Sequence, residues 1–230
     1  MFLCGGYNTF IMVDATSDRS TIYFIRHGAI DNPTGEYYGR AVDVPLSWEG
    51  KKQAEIIGTI ISRGGTVDRI YTSPLSRAAE TAEIIGGLVG SPRIIKEDGL
   101  IDVDIPALLG RQLGDRSEIH GGGGDEYSGE WVKLGNEPRE QITARMLGAF
   151  EKICEENEGK AVVVSHGDPL RILKFCLENP GKQVPPMSEL LKSYYPEKGE
   201  GWKIVVDGQG NILETELVRR LGSVRAEKEI

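Results

Sequence analysis

The feature that most constrains the fold is an alternation of short β-branched runs with segments of helical periodicity. Strands are predicted at Thr21–Ile25, Asp68–Thr72, Arg93–Lys96 and Ala161–Ser165. Helical segments lie between the strands, as the crossovers of parallel strands require. The alternation therefore predicts an α/β fold with a mostly parallel sheet and helices on both faces.

The helices are predicted from caps and apolar stripes. Ser47 is expected to cap a helix that presents residues 56, 57, 60 and 61 on one face. Ser73-Pro74 is expected to open a second helix, and Asp168-Pro169 a later one. Glu137 to Glu156 carries an apolar stripe at helical spacing, namely Ile142, Met146, Phe150 and Ile153. Trp202–Asp207 and Ile212–Leu217 are predicted to form a hairpin.

This pattern is interpreted as one domain over residues 21–217. We expect residues 1–20 to be a loosely ordered extension and residues 218–230 to be a charged tail. Residues 97–136 are the least regular part, and their run of glycines predicts a lid or insert around residues 103–136. Residues 1–20 lack a basic segment and a long apolar segment, so no signal peptide is expected.

Charge and cysteine content restrict the classes of partner and compartment. The chain has 27 Lys and Arg against 35 Asp and Glu, a net charge of −8, which argues against a nucleic-acid or anionic-membrane surface. No apolar run approaches the roughly 18 residues of a membrane helix. The three cysteines show no short spacing, so Cys154 and Cys176 are expected to be buried and inert. A reducing cytoplasm is the expected location.

Two predicted strands end in the same dipeptide, His27-Gly28 and His166-Gly167. The carboxyl ends of parallel strands meet at one edge of a sheet, where ligands bind. Arg26 precedes the first histidine, and Arg77 lies early in a helix that begins at the same edge. Arginine forks favour phosphate, and nearby guanidiniums disfavour an imidazolium, which leaves a neutral, nucleophilic imidazole. These residues predict a phosphoryl site.

Several motifs occur in a defined order along the chain. They are Arg26-His27-Gly28, Tyr38-Gly39-Arg40 followed by residues 43–47, Ser73 to Arg77-Ala78, and Val164 to Gly167. In this order they resemble the histidine phosphatase superfamily, which is phosphoglycerate mutase-like, over about residues 21–217. The resemblance implies a three-layer α/β/α fold and a phosphohistidine intermediate.

The same resemblance implies roles for individual residues. His27 would be the nucleophile, while Arg26, Arg77 and His166 would hold the phosphoryl group. Asp102 stands where the family places a glutamate and would be the general acid. The loop residues Asn32, Gly39 and Arg40 are expected to bind substrate. No cofactor and no metal are expected, because the arginines would repel a cation.

The chain departs from the family pattern around the acid. Asp102 is one methylene shorter than glutamate, and residues 105–108 replace the usual stretch of glycine, aromatic residue, glutamate and glycine. Ile30 stands where threonine is common, and Asn32 lies one position early. Asp104 and Asp168 therefore remain alternatives for the general acid.

Three functions remain open. A metal-independent phosphomonoesterase of the phosphatase branch, acting on a small phosphorylated metabolite, is favoured. A phosphoglycerate mutase is the second hypothesis, but residues 103–136 lack the Arg- and Pro-rich insert of such enzymes. The third is a phosphate-binding module that has lost turnover, which the altered acid region suggests. The substrate and the oligomeric state are not predicted.

Overall fold

The computed structural model describes residues 19–112, 125–157 and 159–219. Most of the predicted N-terminal extension, the middle of the predicted lid and nearly all of the predicted tail lie outside these residues, as does Cys4. Among the described helices, none has the length and apolar character needed to cross a membrane.

One sheet organises the described residues. Its strands are β1 (Ser20–Arg26), β2 (Arg69–Thr72), β3 (Arg93–Lys96), β4 (Lys160–Ser165), β5 (Gly201–Val206) and β6 (Ile212–Val218). They lie in the order β3-β2-β4-β1-β5-β6. The strands β3, β2, β4 and β1 are mutually parallel, whereas β5 runs antiparallel to both β1 and β6. The predicted mostly parallel sheet and the terminal hairpin are confirmed.

Helices cover both faces of the sheet. They are α1 (Trp48–Ser62), α2 (Ser76–Leu88), α3 (Gly129–Lys133), α4 (Arg139–Glu156), α5 (Gly167–Glu178) and α6 (Met187–Leu190). Two 3₁₀ turns, Asp98–Leu100 and Pro106–Leu108, follow β3.

The side chains of the central strands alternate between the two faces of the sheet, and this divides the core into two layers. Ile25 of β1 packs in one cluster with Ile57 of α1 and Ile85 of α2. Its neighbour Phe24 packs in the other cluster with Met146 of α4 and Leu170 of α5. Because successive side chains of a strand point to opposite faces, a strand buried on both faces needs an apolar residue at nearly every position. The three-layer α/β/α sandwich is confirmed.

The predicted apolar face of α1 is partly wrong. Ile57 and Ile61 are buried, but Ile56 is 44% exposed. The buried face continues instead through Gly50, Gln53 and Ala54. Gly50 allows α1 to approach the backbone of Gly28 and Ala29 just beyond the end of β1, which an isoleucine there would prevent. Ser47 caps the helix as predicted, accepting a hydrogen bond from Gly50 N at 3.1 Å.

The predicted start of α2 is also wrong. The helix begins at Ser76, and its first turn is capped by Asp43, which accepts hydrogen bonds from the backbone N and the hydroxyl of Ser76. Ser73 is not the cap residue: its hydroxyl accepts from the backbone N of Leu75 at 3.4 Å and also contacts a histidine of the neighbouring strand end.

The two cysteines that the structure describes are half-buried rather than buried. Both are free thiols, at Cys154 and Cys176. Burial raises the pKa of Cys154 to about 11, and it also raises the pKa of Cys176. Both thiols therefore stay protonated and weakly nucleophilic at neutral pH, as predicted.

Candidate active site

Two histidines lie side by side where β1 and β4 end. The strands are adjacent and parallel, with Arg26 opposite Ser165, so His27 and His166 leave the sheet together. Their ring centroids are 5.1 Å apart, and both side chains are buried. The predicted meeting of these two residues is thus present in the structure.

The orientation of His27 leaves one ring nitrogen available. Its Nδ1 lies 2.7 Å from the carbonyl oxygen of Gly28. A carbonyl oxygen only accepts hydrogen bonds, so we assign the proton to Nδ1 and the lone pair to Nε2. Burial lowers the pKa of His27 well below its usual range, and His166, Arg26 and Arg77 lower it further. His27 is therefore a neutral imidazole, the form that acts as a nucleophile.

His166 is held by Ser73 and Arg77. Arg77 Nε donates to its Nδ1 at 3.3 Å, which leaves the Nε2 proton to donate to the Ser73 hydroxyl at 2.8 Å. Burial lowers the pKa of His166 well below its usual range, and the guanidinium of Arg77 adds to this effect. Both histidines of the site are consequently uncharged at neutral pH.

Arg77 bridges the groups of the site. Its Nη2 donates to Asp102 Oδ2 at 2.7 Å and to the carbonyl oxygen of Gly39 at 2.9 Å. That carboxylate oxygen also lies 3.3 Å from Nδ1 of His166. Arg77 donates to both of these acceptors, which offsets the repulsion between them. The Arg77 side chain is only 3% exposed.

Two guanidinium nitrogens of this site have no hydrogen-bond partner among the described residues. They are Nη1 of Arg77 and Nε of Arg26, and both are buried. Arg26 uses its Nη1 to donate to the carbonyl oxygen of Pro196 at 3.0 Å, and its guanidinium lies over the ring of Tyr195. A buried donor without a partner costs about 1–3 kcal/mol. Here these donors lie beside the neutral His27, where an anion would satisfy them.

Asp102 is the carboxylate that the structure brings to this site. Its Oδ1 accepts from the backbone N of Val103 at 2.9 Å, while its Oδ2 contacts Arg77. The side chain is 18% exposed. The shorter aspartate therefore reaches the arginine and His166 in spite of the missing methylene.

The turn that carries Asp102 is held by Arg145 of α4. The guanidinium donates to the carbonyl oxygens of Gly99 and Ile101 at 2.9 and 2.6 Å, and it pairs with the buried Glu137 at 2.8 Å. Sequence reasoning missed this clamp, because Arg145 lies between apolar positions of a helix and is distant from the motifs. The role of Ser73 could have been found, since Ser73 directly follows β2 at the same edge of the sheet.

The two alternative acids, Asp104 and Asp168, are each bonded to other groups, although Asp168 lies close enough to His166 to oppose the lowering of its pKa. Asp104 pairs with Arg40 at 2.7 Å, and both side chains are about one-third exposed. Asp168 is buried and accepts hydrogen bonds from the hydroxyls of Tyr127 and Tyr195. The latter carboxylate lies at the start of α5, where it joins the predicted lid to the segment that follows α6.

The predicted loop residues contribute mainly to backbone structure. Asn32 Oδ1 accepts from the backbone N of Gly35 at 2.9 Å, and its amide donates to the carbonyl oxygen of Glu36 at 2.9 Å, which closes a turn. Gly39 has a φ of +51°, in the region that favours glycine, and its carbonyl oxygen accepts from Arg77. Binding of substrate by Asn32, Gly39 and Arg40 stays a prediction.

The charges of this site suit an anion. Two arginines surround two neutral histidines, and two carboxylates, Asp102 and Asp168, oppose them. Within the described ranges, no group of three or more His, Cys, Asp and Glu side chains is arranged to hold a metal ion. Arginine donors beside a neutral imidazole are the groups that phosphoryl transfer uses.

Comparisons with known proteins agree with this geometry. The sequence profile of the histidine phosphatase superfamily (branch 1) matches residues 22–185. The Arabidopsis thaliana phosphoglycerate mutase-like protein 4 is 25% identical, covering 86% of this chain and 88% of the relative. A metal-independent phosphoserine phosphatase of the same plant is 26% identical over 70% of each chain. Among solved structures, Bacillus stearothermophilus YhfR matches with a TM-score of 0.70 at 24% identity, covering 90% of this chain and 98% of that chain.

Proposed function

Because the chain belongs to the histidine phosphatase superfamily (branch 1), we propose that it is a metal-independent phosphomonoesterase that forms a phosphohistidine intermediate. One observation carries the proposal. The buried, neutral His27 has an unprotonated Nε2, and the two arginines beside it carry buried donors that have no partner among the described residues. A nucleophile and an anion-binding pair in one place are what transfer of a phosphoryl group to the protein requires.

In the first step, His27 Nε2 attacks phosphorus and the bond from phosphorus to the ester oxygen breaks. Asp102, carrying a proton, gives it to the leaving oxygen, and the alcohol departs. In the second step, water attacks phosphorus and Asp102 accepts its proton. The nitrogen–phosphorus bond breaks, which releases inorganic phosphate and neutral His27. Arg26, Arg77 and His166 stabilise the charge on the phosphoryl oxygens in both steps.

Asp102 is assigned as the acid because of its contacts. It is paired with Arg77 and lies 3.3 Å from His166, whereas Asp104 and Asp168 are bonded to Arg40 and to tyrosines. Arg77 keeps a second, unpartnered donor, Nη1, for a phosphoryl oxygen, so the substrate and Asp102 would bind to the same guanidinium.

The proposed substrate is a small phosphorylated metabolite of the cytoplasm, and we propose no nucleic-acid or membrane partner. The name of one relative includes phosphoglycerate mutase, so transfer of the phosphoryl group to a second hydroxyl is the second candidate. Product analysis separates the two reactions, because only a phosphatase releases inorganic phosphate in proportion to the substrate consumed.

Rapid-quench labelling with a ³²P-labelled phosphomonoester tests the intermediate. During turnover we expect label on His27 that is labile in acid and stable in base, and we expect chelator to leave turnover unchanged. His27→Asn should abolish both labelling and turnover, whereas His120→Asn, at the remaining histidine of the chain, should keep both. Label on serine, turnover without any label, or restoration of activity by added Mg²⁺ after chelation would contradict the proposal.

A further inference from the structure

A half-buried lysine lies beside the candidate site without a partner of its own. Lys198 belongs to the segment that joins α6 to β5. Within the ranges that the structure describes, no carboxylate lies within 4.0 Å of its ammonium group, and no hydrogen bond satisfies it. The side chain is half-buried and its ammonium has no counterion among these residues, so it is available to bind an anion.

The backbone on both sides of Lys198 is fixed to the end of β1. The amide of Gly199 donates to the carbonyl oxygens of Arg26 and His27 at 3.1 and 3.2 Å. The carbonyl oxygen of Pro196 accepts from the guanidinium of Arg26 at 3.0 Å. The position of Lys198 relative to the nucleophile is therefore set by three hydrogen bonds, and not by the flexibility of a loop.

The same segment packs against α1. Gly199 has a φ of +72°, and a side chain there would come within 2.8 Å of the Cβ of Gln53. Glycine is required at this position for conformation and for space. The chain thus passes tightly between α1 and the end of β1, which places Lys198 next to α1 at this end of the sheet.

The electrostatic surroundings of Lys198 support this placement. Burial lowers the pKa of Lys198, and Arg26 and Arg77 lower it further, while Glu49 and Glu197 oppose them. Both carboxylates are exposed to solvent, and Glu49 is bonded to Gln53. The lysine therefore lies in the same positive field as the two arginines of the phosphoryl site.

We propose that Lys198 binds a second anionic group of the substrate, a carboxylate or a further phosphate, next to the phosphoryl group held by Arg26 and Arg77. This inference rests on the proposed phosphatase function. It makes the substrate class a phosphomonoester with another negative charge close to the ester, and it makes Lys198 a specificity-determining residue.

The test compares substrates that differ only in the second anion. One pair is 3-phosphoglycerate and glycerol 3-phosphate, in which a hydroxymethyl group replaces the carboxylate. The other pair is glucose 1,6-bisphosphate and glucose 6-phosphate. In at least one pair, we expect Lys198→Met to lose about ten-fold more kcat/KM on the compound that carries the second anionic group than on the compound that lacks it. The loss should appear mainly in KM, and Lys198→Arg should recover most of it.

The pair that separates identifies the second anion as a carboxylate or a phosphate. Lys192→Met, which removes an exposed lysine from the same connecting segment, is the matched control and should change neither member of a pair. Equal losses on both members would mean that Lys198 contacts the transferred phosphoryl group itself, and they would overturn the inference. No loss on any substrate would overturn it as well.

Failure of the proposed function is distinguishable from failure of this inference. If the wild-type protein hydrolyses none of these compounds and no aryl phosphate, the phosphatase proposal fails. Calorimetric binding of the same substrate pairs to the wild-type protein and to Lys198→Met then decides the role of the lysine. A preference for the second anion that disappears in the variant supports it, and equal affinities for both members refute it.

Discussion

At the scale of single residues, the reach of Asp102 is the point on which the chemistry depends. The carboxylate is one methylene shorter than glutamate, yet it bonds to Arg77 at 2.7 Å and contacts His166 at 3.3 Å. Arg145 provides the missing distance by holding the backbone of the turn through two carbonyl oxygens. The proposed role of Asp102 as the acid therefore depends on a backbone that is fixed close to the site.

Asp102→Asn should affect substrates with poor leaving groups most strongly. An alkyl phosphate leaves as a basic alkoxide and needs the proton, whereas an aryl phosphate with an acidic phenol scarcely does. General acid catalysis is worth about 10²–10⁴-fold, so kcat for the two substrate classes should diverge by a large part of that factor.

Asp104→Asn is the matched control, because Asp104 is bonded to Arg40 and not to the phosphoryl site. It should show no divergence between alkyl and aryl substrates. Equal losses on both classes in Asp102→Asn would remove Asp102 from the role of acid, and a selective loss in Asp104→Asn would transfer the role.

At the scale of elements, the nucleophile depends on how closely α1 approaches the end of β1. A Cβ on Gly28 would lie 2.4 Å from the carbonyl oxygen of Gly50, and a Cβ on Gly50 would lie 2.0 Å from that of Ala29. Backbone meets backbone at this crossing, so neither side chain can be accommodated without moving the helix. The carbonyl oxygen of Gly28, which orients His27, belongs to the same contact.

Gly50→Ala should therefore destabilise the protein by about 1–3 kcal/mol, as overpacking in a well-packed region does. Gly148→Ala makes the same substitution in α4, where nothing lies within 4 Å of the new methyl group. It should stabilise the protein by up to about 1 kcal/mol through helix propensity. Urea denaturation of both variants checks the opposite signs. A stabilising Gly50→Ala would show that the crossing is not tight.

At the scale of the whole molecule, two uncharged imidazoles buried at the edge of the sheet couple stability to pH. The pKa of His27 and that of His166 are both lowered in the folded state, first of all by burial. The unfolded chain therefore binds these protons first as the pH falls. The free energy of unfolding should decrease below about pH 6.5, the ordinary value for histidine, until the pH reaches the folded-state values.

Each imidazole contributes a slope of about 1.4 kcal/mol per pH unit over that window. Urea denaturation between pH 7.5 and 5.5 measures it. His27→Gln and His166→Gln should each reduce the slope, and both together should reduce it further, because the carboxylates common to all variants titrate at lower pH. Identical slopes in the wild type and the double variant would show that the histidines are protonated in the folded protein.

Local sequence patterns are sufficient to predict the layers of the fold and the sheet edge that carries the candidate site. Strand and helix periods are local, and a parallel sheet brings the carboxyl ends of its strands to one edge whatever its other details. This is why His27, Arg26 and His166 could be placed together from the residues alone. The start of α2 was misplaced, since the group that caps it, Asp43, comes from a loop 33 residues away.

Tertiary structure alone decided the hydrogen bonding and charge state of the site. The contacts from Arg77 to His166 and from Ser73 to His166 span 89 and 93 residues of sequence, and the clamp from Arg145 to Gly99 spans 46. Such contacts produce no periodic pattern in the sequence. A single polar residue between apolar neighbours gives the same sequence pattern whether its side chain faces solvent or a functional site. Burial of the imidazoles and the unpartnered donors of the arginines likewise arise only when the layers close around them.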